Sequence, residues 1–277
     1  MRCNTIELKD SMQTVFETMA TSHSTNEAPY ELIYWHVIPG RGEHIRLCFV
    51  EAGVPYSDTA FAEGGMDVLH AYISDTNTGD ELNPPPLAPP ILKHGDLIIS
   101  QTPNILQYLG PKLGLAANGG DDIFRINALA LTALDGFSNE VHNCHHPIAI
   151  DLYYEDQKEE CLRRVKDWVK NRLPKYLGYF ERVLAGKASK DGPWLYGGVL
   201  TWADLVLFQT LDGTTHFFRK AIAAAKSSGK YDRVFQHYEA VKARPRIAEY
   251  LASDRRQKYS NYGIYRYYEE LDVVPEE

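Results

Sequence analysis

The chain has 277 residues, of which 44% are hydrophobic and 24% charged, and its 37 acidic and 29 basic side chains leave a formal net charge of -8. That balance excludes a disordered or fibrous polymer, and the acidic excess, with no stripe of Lys and Arg, argues against a nucleic-acid partner. No apolar run approaches the roughly 18 residues of a membrane-crossing helix, and the length suits one small and one medium domain.

Residues 1–28 are polar and rich in Thr and Ser, the composition of a terminal extension. They lack the apolar stretch of a secretory leader, and Glu7, Asp10 and Glu17 are out of keeping with a mitochondrial presequence, so a cytoplasmic protein is expected. The four cysteines, Cys3, Cys48, Cys144 and Cys161, are widely spaced and read as free thiols.

Glu31 to Val37 is a β-rich run closed by Pro39-Gly40 and predicts a first strand. Ile45, Cys48, Phe49 and Ala52 then recur at helical spacing before Gly53, and Tyr56 to Phe61 predicts a second strand, completing a βαβ unit. Between 62 and 89 the breakers leave room for one short helix near 66–73. Ile91-Leu92-Lys93 and Leu97-Ile98-Ile99 flank a Gly-containing turn and predict a hairpin. It runs into a helix with Thr102 as N-cap, Pro103 at the first position and Gly110 as terminator. Residues 111–122 read as a linker, and long apolar-periodic stretches at 123–142 and 157–184 predict helices. Thr201 and Asp204 have the spacing of a capping box opening a buried helix.

The order βαβ, short α, ββα, linker, helices resembles the soluble glutathione transferases over roughly residues 30–256. The motifs that carry the resemblance are Leu32-Ile33-Tyr34-Trp35 with Gly40-Arg41-Gly42-Glu43, Pro89-Pro90-Ile91-Leu92, Gln101-Thr102, Leu200-Thr201-Trp202-Ala203-Asp204 and Arg244-Pro245-Arg246-Ile247. The opening is most similar to the sigma-like members that use a tyrosine. The resemblance implies an α/β thioredoxin-like domain with a mixed sheet over 29–110 and an all-α helical domain over 123–256; beyond it, the Tyr-rich composition of 257–277 reads as a tail that either covers the site mouth or docks on the helical domain. The resemblance also implies a detoxifying transferase that works as a homodimer.

In such a family the co-substrate is glutathione, which must be presented as its thiolate, because the thiolate is the nucleophile. Lowering a thiol pKa by two units takes about 2.7 kcal/mol, and one hydrogen bond to a charged group supplies about 1.5–3 kcal/mol. The resemblance implies that Tyr34 donates that bond, with Arg41 holding positive charge beside it. A strand aromatic packed in the core is the structural alternative for Tyr34, His36 is the local rival donor, and Cys48 reads as a small buried hydrophobe. Gln101 and Thr102 are expected to hold the γ-glutamyl end at a helix N-terminus, and Pro89 and Pro90, the second of them cis in the family, to flank the cysteinyl backbone. Asp135 resembles an acid that reaches the neighbouring subunit's glutathione.

Two departures stand out. Pro89 has no N–H to give, and no Lys or Arg occurs between Leu47 and Leu92 to meet the glycine carboxylate, leaving Asn83, His70 or backbone groups for that end. The cluster His142, Cys144, His145 and His146 matches no standard zinc signature, so no metal is expected. The sequence thus points to a glutathione transferase acting on a small apolar electrophile, with no nucleic-acid or membrane partner. The alternatives are a glutathione-dependent isomerase without net conjugation and a non-catalytic carrier or interaction protein.

Overall fold

In the computed structural model, residues 28–274 are described, so the expected N-terminal extension lies almost wholly outside them. Strand β1 (Tyr30–Ile33) is shorter than its β-rich run, because the chain turns away after Ile33. Helix α1 (Gly42–Ala52) follows and stops at Gly53, whose left-handed φ of 69° lets the Gly53 and Val54 N–H groups close back on Val50 and Phe49. Strand β2 (Tyr56–Asp58) is also curtailed, its last residues winding into a 3-10 turn (Thr59–Phe61), and helix α2 (Gly65–Tyr72) falls where the short helix was expected. Strands β3 (Ile91–His94) and β4 (Leu97–Ser100) form the expected hairpin about Gly95-Asp96.

The sheet order is β2-β1-β3-β4, with β1 parallel to β2 and the other neighbours antiparallel. Alternation along the strands feeds two cores. Leu32, Leu92 and Ile99 pack with Ile45, Phe49, Ile105 and Leu109 of α1 and the next helix, while Ile33 and Ile91 pack on Leu69 of α2.

That next helix, α3 (Thr102–Lys112), does not end at Gly110. A Cβ there would lie 2.2 Å from the Trp202 indole, so this glycine serves close helix packing and the helix runs through Pro111. Nor is Thr102 the cap, since that place falls to Gln101.

The helical part begins with α4 (Asp122–Leu131), which passes through a π-helical segment (Thr132–Ser138) into α5 (Asn139–His142). The wide turn brings Phe137 and Ser138 inward, Phe137 stacking on Tyr176 at 5.1 Å. Helix α6 (Lys158–Asp167) meets α7 (Leu173–Leu184) through a second π segment (Trp168–Arg172), next to Pro174, which has no N–H to continue the ladder. Helix α8 (Trp202–Phe217) is buried over most of its surface and packs on α1, α4 and the helices that follow, α9 (Arg219–Ser227) and α10 (Asp232–Lys242). Helix α11 (Pro245–Leu251) returns to pack on α1. Among the described residues no helix is long and apolar enough to cross a membrane.

The capping box forms. The Thr201 N–H and Oγ1–H donate to Asp204 Oδ2 at 2.7 and 2.8 Å, while Asp204 Oδ1 accepts the Leu195 N–H and contacts His237 Nε2 at 3.0 Å. Since Asp204 is fully buried, Asp204→Ala strands several donors at once. The expected loss is about 2–4 kcal/mol of folding stability, read from urea denaturation; a loss under about 1 kcal/mol would mean the box is ornamental.

Candidate functional site at the sheet end

The strand register decides which residues meet. Ile33 pairs with Ile91 and Ile91 with Ser100, so the residues just outside these pairs, Tyr34, Pro90 and Gln101, emerge together at one end of the sheet. Thr59 joins them, its Oγ1 accepting the Tyr34 N–H at 3.1 Å. The Pro89-Pro90 bond is cis. Pro90 is buried, Pro89 half-buried and Gln101 exposed.

Tyr34 is 4% exposed, its ring tucked beneath the loop 39–42. Two glycines make that possible: a Cβ on Gly40 would lie 2.2 Å from the hydroxyl, and one on Gly42 would lie 2.6 Å from the ring. The Arg41 N–H donates to the Tyr34 hydroxyl oxygen at 2.7 Å, leaving the phenolic proton available to a further acceptor. Burial pushes the Tyr34 phenol above its ordinary range, against the opposing pull of the Arg41 N–H, the Arg46 charge and the Gly42 N–H. The group therefore stays a proton-bearing donor across neutral pH.

Arg41 contributes here chiefly through its backbone N–H, and its guanidinium charge pulls on the phenol in the same direction, as expected, though less strongly. Its guanidinium turns to Asn139 of α5, and the cation over the Tyr34 ring is instead Arg46, 5.5 Å from the centroid and paired with Glu43 and Asp58. His36 is exposed beyond the strand, and burial pushes the Cys48 thiol well up, so that it stays protonated.

Gln101 holds φ 72° and ψ 118°, a region costly for a residue with a side chain, just ahead of the first turn of α3. Thr102 is 2% exposed and its Oγ1 has no hydrogen-bond partner among the described residues. Unpaired helix N–H groups and a free hydroxyl at that place suit an anionic ligand.

Asn83 is spoken for. Its amide donates to the Asp80 carboxylate and the Asp96 carbonyl and its oxygen accepts the Ile98 N–H, so it pins the loop before β3 and is not free to hold a ligand's carboxylate. His70 is exposed and edges onto Trp35 at 5.8 Å. Asp135 is exposed on the segment Thr132–Ser138 and is not among the residues that the sheet register gathers.

The residues that sequence reasoning missed lie in the tail and in the helices facing Tyr34. Gly263 packs on Ile38 of the β1–α1 loop, Tyr265 lies on Gly213 of α8 with its hydroxyl 2.9 Å from Ser138 Oγ, and Tyr259 donates to Asp212. The Tyr-rich composition was the signal for this tail; its path was not readable.

With the geometry in hand, comparison with known proteins is informative. Residues 142–254 match the family described as glutathione S-transferase, C-terminal domain. A glutathione S-transferase of Plasmodium falciparum is 25% identical over 232 residues, covering 82% of this chain and 98% of its own. Glutathione S-transferase P 1 of Xenopus laevis is 27% identical over 83% of this chain and 94% of its own.

The chain is similar to glutathione S-transferases over about four-fifths of its length. Its fold agrees: the structure of the Pi-class glutathione S-transferase of Onchocerca volvulus superposes with a TM-score of 0.59 at 22% identity, over 80% of this chain and 91% of that one. By class this chain is a transferase, built from a mixed four-stranded thioredoxin-like domain and a helical domain.

His44 of α1 carries a testable consequence for this transferase. It is fully buried, neither ring nitrogen has a partner among the described residues, and burial with the charges of Arg41 and Arg256 lowers its pKa to about 3. In the unfolded chain it titrates near 6.5, so between 6.5 and about 3 the unfolded state binds the extra proton and stability falls as pH falls. The expected slope from this one group is about 1.4 kcal/mol per pH unit. Urea midpoints of wild type and His44→Leu between pH 6.5 and 4 check it: the variant should lose stability more gently, and parallel curves would refute the assignment.

Proposed function

We propose that this transferase binds glutathione at the sheet end and stabilises its thiolate with the Tyr34 hydroxyl, for attack on a small apolar electrophile. The observation that carries the reading is the register that gathers Tyr34, Pro89-Pro90 and Gln101-Thr102 at one edge. The names of the relatives, all glutathione S-transferases, support the co-substrate. The Tyr34 oxygen already accepts the Arg41 N–H, which polarises the phenol toward donating its own proton to a sulfur anion. Gln101 and the α3 N-terminus receive the γ-glutamyl end, and the Pro89 carbonyl accepts from the cysteinyl N–H without the reciprocal N–H bond. The tyrosine-type reading follows from these residues; the sigma-like subclass is carried by the resemblance of the opening motif alone. In a homodimer the exposed Asp135 is available to a neighbouring subunit.

A second reading is favoured by two specific features. Pro89 lacks an N–H, and the tail packs against Ile38 beside the Tyr34 loop. A non-catalytic carrier would share both.

Calorimetric titration of glutathione into wild type and Tyr34→Phe, with the bound thiolate followed by ultraviolet absorbance across pH, tests the proposal. The wild type should bind and show a lowered thiol pKa. In the variant that pKa should return toward the free value, with kcat/KM for a small aryl halide falling about 10–100-fold. Absence of binding at millimolar glutathione in both proteins would sink the enzyme reading and favour the carrier, and recovery of isomerised product without conjugate would convert it to an isomerase.

A further inference from the structure

The helical domain holds a second group of chemistry-bearing side chains that the proposed reaction does not use. His142 closes α5, and His145 and His146 follow in the turn just beyond it, which brings the three rings together. One nitrogen from each ring lies within 4.8 Å of one from each other ring, and the centroids are 4.6 to 5.3 Å apart. Cys144 points elsewhere, its Sγ directed at the Glu140 carbonyl at 3.3 Å.

The hydrogen bonds around the rings assign their protons. His145 Nε2 lies 2.8 Å from the Ile264 carbonyl, which only accepts, so in the neutral ring Nε2 carries the hydrogen and Nδ1 keeps its lone pair. That Nδ1 is buried and has no partner among the described residues. The Leu152 and Ala149 carbonyls accept both protons of the Gln157 amide at 3.0 and 3.1 Å, so His146 Nδ1 has only a longer 3.4 Å contact with the same amide nitrogen. Among the described residues no hydrogen bond holds the His142 ring, and it is half-buried, so it is free to rotate toward the other two. A backbone carbonyl on the far nitrogen is the support that metal-ligating histidines ordinarily have.

We propose that His142, His145 and His146 form a three-imidazole site for a borderline-soft divalent transition ion, with zinc as the reference case. Zinc–nitrogen bonds of about 2.0–2.1 Å call for ligand nitrogens closer together than 4.8 Å, a contraction that rotation of the His142 ring supplies. No carboxylate belongs to the group, so hard calcium or magnesium ions are not the ligand. The Arg266 guanidinium, tethered to the Gly263 carbonyl, brings positive charge near all three imidazoles, as Arg41 does near His142. Their charge opposes a bare cation and favours an anion, such as chloride or hydroxide, as the fourth ligand. Because the Ile264 carbonyl belongs to the tail, an ion here would also fix the imidazole that holds the tail down.

The test uses the full chain without an affinity tag, stripped with a chelator that is then removed. Zinc is titrated by calorimetry, and cobalt by its visible absorption, whose intensity reports a low coordination number. One ion per chain and intense cobalt bands are expected. His142→Ala, a change at the half-buried end of the group that leaves the fold intact by circular dichroism, should weaken zinc binding by about a hundredfold. His145→Gln should do the same, while His70→Ala on exposed α2 should leave it unchanged. Failure of zinc to saturate the wild type, or zinc binding that His142→Ala leaves intact, overturns the proposal.

Discussion

Glu43 is the point at which the molecule is held together. Fully buried at the start of α1, it takes Arg46 at 3.2 Å, the Tyr250 hydroxyl of α11 at 2.7 Å and Arg256 just ahead of the tail. Arg46 passes the chain of charge on to Asp58 at the end of β2, and Arg256 passes it to Asp212 of α8 at 2.9 Å. Charges removed from water are tolerated only when each is matched, and removing one member of such a set typically costs about 3–5 kcal/mol. This network therefore fixes where α1 begins, how the sheet meets α8, and where the tail departs. The loop over Tyr34 ends at the same helix start, so the candidate site inherits its geometry from these ion pairs.

The position of Tyr34 follows from two further constraints acting at that helix start. Gly40 and Gly42 let the backbone pass directly over the ring, and the first N–H groups of α1 are left unpaired by the helix itself, so one of them turns to the phenol oxygen. Burial and hydrogen bonding thus work together: the first keeps the phenol protonated, the second makes its proton a better donor. A loop of larger residues would hold the ring off and lose both effects.

The tail turns out to combine two roles that composition left open. It docks, through Tyr268 stacked on Tyr154 at 3.9 Å and the Asp272 carboxylate accepting the Lys220 N–H, and it also reaches the β1–α1 loop through Gly263. Tyr265 fits only because Gly213 of α8 has no side chain, a Cβ there falling 2.3 Å from the ring. One segment thereby joins the helical domain, the histidine group and the Tyr34 loop.

Much of the architecture was legible in the sequence, because the signals that carry it are local. The two short apolar runs about the Gly95 turn, helical spacing from Ile45 to Ala52 and the Thr201/Asp204 box act within a few residues, and each formed where it was read. Tyr34, Pro90 and Gln101 were also identifiable by motif. What local pattern did not carry was decided by packing between distant segments. Gly110 reads as a helix stop but serves contact with Trp202; Asn83 reads as a ligand group but is consumed by the Asp80 and Asp96 loop; Arg41 acts on the phenol chiefly through its backbone while its side chain goes to Asn139. Sequence by itself determined the elements, their order and the residue types offered for chemistry, since these depend on neighbours along the chain. Tertiary structure alone decided which of those side chains remain free, because a buried polar group is committed by whatever partner the fold brings within hydrogen-bonding reach.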